Sequence, residues 1–260
     1  MSLSFIVDWN DTIPRSVATS ESLKVSFVIP AFNEAARIQT SLQRISEYLK
    51  SVPYHTELIV VDDGSTDNTA DIVKSFNIPG IRLLRSGVNH GKGFSVRKGV
   101  LSATGEFVLF SDADLSTPIE EVEKLLEVAV NEKADVVIGS RGLDMRFIEK
   151  HQPTMRETGG RLFNVVVRLV LGLKIHDTQC GFKLFRRATV QSAFEKVTTD
   201  RFGFDPELLF ILSRQGLKIR EISVRWSHVE GSKVQFFRDG IRMFTDVLRI
   251  RWNSLNGKYR

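Results

Sequence analysis

The 260 residues carry a formal net charge of +5, and 42% hydrophobic with 26% charged side chains is the balance of an ordinary soluble globular chain. This length fits one large domain or a domain with a small extension. The single cysteine, Cys180, excludes an internal disulfide framework and suits a reducing compartment, and no run reaches the roughly 18 apolar residues a spanning helix needs.

Residues 1–22 are polar, include Pro14 and lack a basic segment leading into an apolar core, so an N-terminal arm is expected rather than a signal peptide. From Lys24 to Gly142, short apolar runs alternate with amphipathic stretches. The pattern predicts strands at Val25–Ile29, Leu58–Val61, Ile81–Leu84, Phe107–Phe110 and Val136–Ile138. Helices are predicted near Ala35–Leu49, Thr69–Phe76, Lys92–Ala103 and Ile119–Asn131. Such alternation argues for βαβ units and a mostly parallel sheet. Ser65/Thr66 and Ser116-Thr117-Pro118 are candidate caps for the helices that follow them.

After Gly142 the rhythm changes. Arg156–Leu173 reads as a helix with an apolar face through Leu162, Phe163, Val165, Val166, Leu169 and Val170. A short strand at Phe182–Phe185, a helix around Pro206–Arg214, a strand at Ile219–Val224 and a last helix near Val234–Trp252 complete the chain.

The chemistry concentrates where apolar runs end. Glu106–Ser111 leads into Asp112-Ala113-Asp114, and Glu57–Val61 leads into Asp62-Asp63. Four carboxylates at two strand ends repel one another unless a divalent cation or a set of hydrogen-bond donors sits among them. In open α/β sheets the ligand crevice lies beyond the carboxyl ends of the strands, so these loops mark a candidate nucleotide-and-metal site. Alternate residues of an extended segment point to opposite faces, which favours Asp114 as a ligand for Mg²⁺ or Mn²⁺ and Asp112 facing the sugar or ribose.

Pro30-Ala-Phe-Asn-Glu34 follows the first strand, with Asn33 and Glu34 placed to meet a ligand; helix capping is the alternative for Asn33. In Asn89-His-Gly-Lys-Gly93, glycines admit close backbone approach and Lys92 can meet a phosphate. Cys180 has no neighbouring base and reads as a small buried thiol.

Val28–Glu34, Val61–Asp67, Gly91-Lys-Gly93 and Asp112-Ala-Asp114, in that order, resemble the nucleotide-sugar half of the GT-A glycosyltransferases of family 2. Gly139-Ser-Arg141, His176–Phe185, Phe204-Asp-Pro-Glu207 and Trp226–Lys233 resemble the polyprenyl-phosphate sugar transferases, and among these the dolichyl-phosphate β-glucosyltransferases. The resemblance implies a GT-A, Rossmann-like sheet flanked by helices with a C-terminal amphipathic elaboration. The expected division is an arm at 1–22, a catalytic domain at 23–232 (nucleotide-sugar half 23–142, acceptor half 143–232), and a basic amphipathic helix at 233–260.

The same resemblance implies inverting transfer of glucose from UDP-glucose to a lipid phosphate. The expected donor contacts are Pro30, Asn33, Glu34, Asp62, Asp63, Lys92, Gly93, Asp112 and Lys233. The mannosyl relatives, which use GDP-mannose, keep a Gln two residues beyond their second Asp; Ser116 stands there and disfavours that reading. The N-terminal membrane helix of the eukaryotic glucosyl enzymes is not expected here.

A hydroxyl acceptor requires a general base, for which Asp205 is the candidate; with Glu207, it can instead position substrate. A lipid monophosphate, with a second pKa near 6, is already anionic and needs cations instead, for which Arg141 and then Arg156 are the candidates. Arg156–Leu173 and Val234–Trp252, the latter with Arg238, Arg242, Arg249 and Arg251, are expected to lie on a membrane surface; packing on the core or in a homodimer is the alternative. The expectation is therefore a protein held peripherally at the cytoplasmic face of a membrane, with no nucleic-acid partner, because its basic residues gather around apolar helices.

Overall fold

Strand order explains where the site must be. The computed structural model describes residues 23–76, 78–229 and 236–259. Lys24–Ala31 (β1), His55–Asp62 (β2), Ile81–Arg85 (β3), Phe107–Ser111 (β4), Val136–Ser140 (β5), Phe182–Arg186 (β7) and Ile219–Ser223 (β8) form one sheet in the order β3-β2-β1-β4-β7-β5-β8. The chain moves outward from β1 through β2 to β3, then returns to β1's other side with β4. The carboxyl ends of β1 and β4 therefore flank a topological switch point, where open α/β sheets leave a crevice.

Side-chain alternation on buried strands builds two cores. Phe27, Ile29, Leu58, Val60, Phe107 and Leu109 face one layer, whereas Val28, Ile59, Val61, Val108 and Phe110 face the other. On the first side lie Ile38–Ser51 (α1) and Val122–Asn131 (α4), which contribute Ile38, Leu42, Ile45, Val122, Leu125 and Leu126. A short helical turn, Ile119–Glu121, precedes α4, and Thr69–Ser75 (α2) follows β2. On the second side lie Lys92–Ser102 (α3), Arg187–Lys196 (α6) and Phe204–Arg214 (α7). Gly99 of α3 is pressed onto β1 so closely that an added Cβ would lie 2.3 Å from Val28 Cγ1.

All strands of the sheet run parallel except β7, which pairs antiparallel with both β4 and β5. The expected strands are present and most run slightly longer, whereas β8 stops at Ser223, one residue short of the expected end. The helix α6 is an addition that the pattern did not reveal. A second small sheet joins Ile148–Lys150 (β6) to Trp226–Ser227 (β9). The expected caps are not made. Ser65 Oγ accepts from Asn33 N–H, Thr66 N–H donates to Asn33 Oδ1, and the turn before α2 is closed by Asp67, which accepts from Thr69 N–H. Ahead of α4, Ser116 donates its N–H to Asp114 Oδ1 and Pro118 occupies the cap position with no side-chain cap bond.

Thr154–Leu171 (α5) and Phe236–Leu255 (α8) pack against each other at the carboxyl edge. Val247 and Ile250 anchor α8 in the core, each burial being worth about 1.5–3 kcal/mol. Among the described residues, no helix is long and apolar enough to cross a membrane.

Candidate active site

Each strand end supplies one wall. After β1, Asn33 adopts a left-handed conformation (φ 53°), stabilised by the bonds its amide makes to the Thr66 backbone N–H and hydroxyl. That turn leaves Pro30 and Glu34 on the cleft, while Asn33 itself stitches the first loop to the second. Glu34 holds the guanidinium of Arg37, whose Nη1 lies 3.8 Å from Asp114 Oδ2.

The two aspartates after β2 divide their work. Asp62 is fully buried, accepts from Ser65 N–H at 3.1 Å and lies 3.0 Å from Arg85 Nε, so it organises the turn and does not reach the cleft. Asp63 lines the cleft and accepts from Asn89 Nδ2 and the His90 and Gly91 N–H groups, at 3.1, 3.1 and 2.6 Å. It thereby shapes the loop that leads into α3. Gly93 is small for packing rather than for ligand approach, since a Cβ there would strike Phe204 Cβ at 2.5 Å and Thr199 O at 2.6 Å.

Lys92 opens α3 and reaches across to β4, where its Nζ lies 2.6 Å from Asp112 Oδ1. Burial alone would lower its pKa; Asp112, Asp205 and Asp114 outweigh this and raise it, so the ammonium is fixed. Asp112 and Asp114 stand together at the end of β4. Among the described residues no cluster of three or more His, Cys, Asp or Glu side chains forms a metal cage. Two hard-oxygen donors at the lip of a cleft nevertheless fit a cation that takes its remaining ligands from a diphosphate and water.

Two cavities meet here. The first, of about 320 Å³, runs from Pro30 and Asp63 to Asp112 and Asp114 and is closed by Arg201, Phe202, Arg238 and Arg242. The second, of about 620 Å³, passes between α5 and α8, lined by Leu162, Phe163, Val166, Ile241, Met243 and Phe244 with Arg141 and Arg156. Lys92, Asp112, Asp114 and Phe202 belong to both. The arrangement offers a polar, acid-lined cleft joined at two carboxylates to a largely apolar one.

Arg141 follows β5 and is gripped by Asp177, with Nε–Oδ2 at 2.7 Å, Nη2–Oδ1 at 2.8 Å and a further bond from its own N–H. Its guanidinium carbon sits 5.6 Å from the Trp226 ring centre. Burial opposes the charge on Asp177, but Arg141 more than offsets it and holds that carboxyl below the usual range. Asp177 in turn receives order from Glu221, which accepts its N–H at 2.7 Å.

Beneath Asp112 lies a buried ion pair that the sequence pattern did not single out. Lys183 is 0% exposed at its side chain; its Nζ donates to Asp205 Oδ1 and to Cys180 O, both at 2.6 Å. Burial raises the pKa of Asp205 against the pull of Lys183 and Lys92. Asp205 lines the second cavity, yet its Oδ1 is taken by Lys183 Nζ at 2.6 Å. Glu207 is displaced from any site role: it clamps the Thr198 and Thr199 N–H groups and accepts from the Tyr259 hydroxyl. Burial, with Asp177 nearby, pushes the Cys180 thiol up to about 12, which leaves it unreactive. Lys233 falls outside the described residues.

Three residues escaped the sequence reading although two stood inside a quoted motif. Lys183 had a signal, a lone cation within the apolar strand Phe182-Lys-Leu-Phe185. Gly181 had none beyond being glycine, and Arg201 lay in an unremarked loop.

The comparisons agree with this geometry. Residues 26–194 match the model of Glycosyl transferase family 2. A dolichyl-phosphate β-glucosyltransferase of Trichomonas vaginalis is 36% identical over 256 residues, covering 93% of this chain and 77% of that one. The enzyme of that name from Homo sapiens is 35% identical over 269 residues, covering 96% and 81%. Among solved structures, glucosyl-3-phosphoglycerate synthase of Mycobacterium tuberculosis superposes with a TM-score of 0.65 at 21% identity, covering 94% of this chain and 84% of the other. That synthase has also been crystallised with Mn²⁺, UDP-glucose and glycerol 3-phosphate. The fold is GT-A, and the chain belongs to glycosyl transferase family 2.

Proposed function

We propose that this glycosyltransferase moves glucose from UDP-glucose to a polyprenyl, dolichyl-type phosphate, with inversion, at the cytoplasmic face of a membrane. One observation carries the reading: a polar cleft and an apolar channel converge on Asp112, Asp114 and Lys92. The names of the sequence relatives support the same substrate pair. In this reading residues 23–142 build most of the nucleotide-sugar side and residues 143–232 most of the acceptor side.

The donor lies over the ends of β1, β2 and β4, with its diphosphate at Lys92 and its sugar at the junction. Asp114, with Asp112, would hold Mg²⁺ or Mn²⁺, which when bound offsets charge on the leaving diphosphate. The acceptor's isoprenoid chain occupies the apolar channel, and its phosphate meets Arg141 and Arg156. An acceptor-phosphate oxygen attacks the anomeric carbon; that C–O bond forms as the bond to the diphosphate breaks, and its electrons leave with UDP. The phosphate is anionic beforehand, so no residue need remove a proton, in keeping with an Asp205 committed to Lys183.

Peripheral membrane contact is supported by what surrounds the channel. Leu162 and Ile241 line it and are exposed, and Leu169, at 79%, Leu248 and Trp252 are exposed on the same two helices, with Arg161 and Arg168 also on α5. Transfer of labelled sugar from UDP-glucose and from GDP-mannose to a short polyprenyl phosphate tests the reading, with Mg²⁺, Mn²⁺ or EDTA present. Metal-dependent glucolipid from UDP-glucose alone is expected; mannolipid, or no lipid product, would overturn it.

A further inference from the structure

The helix α8 was expected to spend its arginines on a membrane surface. Two of them are elsewhere. At about 100° per residue, Ile241, Phe244, Leu248, Trp252 and Leu255 make one outward stripe, and Arg238 and Arg242 lie roughly a quarter to a third of a turn away from it. Both arginines line the polar cleft, joined there by Arg201 from the loop that precedes α7. On the neighbouring arc, Ile241, Met243 and Phe244 line the apolar channel. One helix is thus the partition between two binding spaces.

The charge states within the cleft differ in kind. Arg37 is taken by Glu34, Lys92 by Asp112, and on α8 itself Arg249 is taken by Asp246 at 2.6 Å. Among the described residues, Arg201, Arg238 and Arg242 lie within ion-pair distance of no carboxylate, although Arg242 acts on Asp246 at longer range. Asp239 shares the cleft with them. Three exposed guanidinium groups lining one cleft whose other cations, Arg37 and Lys92, are already paired leave an anion-sized demand there.

We propose that Arg238 and Arg242, with Arg201, hold the diphosphate of the bound donor together with Lys92, making α8 a donor-site element as well as a channel wall. The inference rests on the reading of the cleft as a nucleoside-diphosphate-sugar site and assigns the half of that site contributed by the C-terminal helix.

Binding of UDP, and of GDP in parallel, to the full chain with Mn²⁺ tests this by calorimetry. Arg238→Gln and Arg242→Gln are each expected to weaken UDP binding by about tenfold or more, the loss of one charge-assisted hydrogen bond. Both side chains are exposed, so the fold survives the change. Arg44→Gln, which removes the same charge from α1 away from both cavities, is expected to leave the affinity unchanged. Uridine, which has no phosphate, is expected to bind the two variants and the unaltered protein alike. Unaltered UDP affinity in both variants, or an equal loss for uridine, would overturn the assignment while leaving the donor-site reading intact. If the unaltered protein bound neither UDP nor GDP, the reading and the inference would fall together.

Discussion

Gly181 is the floor beneath Asp112. The Asp112 N–H donates to Gly181 O at 3.0 Å, and a Cβ built on Gly181 would lie 1.9 Å from Asp112 Oδ2. The carboxylate at the meeting point of both cavities keeps its position because the residue behind it has no side chain. Gly181→Ala is expected to push Asp112 off its place and reduce transfer by roughly a hundredfold, the scale of a misplacement of about 1 Å. Far-UV circular dichroism should remain native, and initial rates of glucolipid formation read the loss. An alanine variant with ordinary rates would show that Asp112 has no exacting position to keep.

The Lys183–Asp205 pair makes a separable prediction. Lys183→Met leaves Asp205 as a buried carboxylate without its counter-ion, expected to cost about 3–5 kcal/mol in urea denaturation. Combining Lys183→Met with Asp205→Asn should restore most of that stability. The double variant should also keep transfer within about tenfold, since general-base catalysis is worth about a hundredfold or more and none is assigned to Asp205. Loss of transfer in a stable double variant would return Asp205 to the role of base.

Asp177→Asn probes the acceptor side. Asp177 grips both Nε and Nη2 of Arg141, a fork that a neutral amide matches poorly. The KM for the lipid phosphate is expected to rise by about tenfold, with the KM for UDP-glucose unchanged. Arg141→Lys should not substitute, because an ammonium is a point charge. Steady-state kinetics with each substrate varied in turn checks both statements.

A fourth prediction concerns the amino end of β2, away from chemistry. Glu57 collects the Ser26 hydroxyl, the Thr104 N–H and hydroxyl, and Arg82 Nη1. Burial alone would raise its pKa; these donors outweigh burial and bring it down from 4.5 to about 2. A depressed carboxyl stabilises the fold above its unfolded pKa, and that contribution is lost as pH falls from about 4.5 through 2. Solvent reaches its Arg82 partner and screens the pair, so the contribution is on the order of 1–2 kcal/mol. Glu57→Gln should therefore be less stable than the unaltered protein at pH 7, and the gap should close across that acid window in urea titrations. A gap independent of pH would refute the assignment.

Much of the fold was legible because its strands are buried on both faces and bounded by turn residues, as in Leu58–Val61 before Asp62-Asp63. The acid pairs announced the crevice for the same reason. Direction was not legible: Phe182–Phe185 has the same apolar look whether it runs with its neighbours or against them, and β7 runs against them. The helix α6 was missed because its buried positions, Val190, Ala193 and Phe194, span barely two turns and no capping bond opens it. Aspartates could be placed at strand ends but not told apart. Only the structure separates Asp62, which closes a turn, from Asp63, which shapes the next loop.

The reversed strand has a consequence for how such a catalyst can change. A parallel strand delivers side chains to the reactive rim as the chain leaves it; β7 delivers Gly181 and Lys183 as the chain arrives. The segment just ahead of it, Gly172 to Cys180, carries Asp177 and places Gln179 on the acceptor channel. Substitutions at Gln179, which lines that channel and not the donor cleft, therefore bear on the acceptor alone. The two cavities meet at Lys92, Asp112, Asp114 and Phe202 and along α8, so it is at those residues that a change reaches donor and acceptor together.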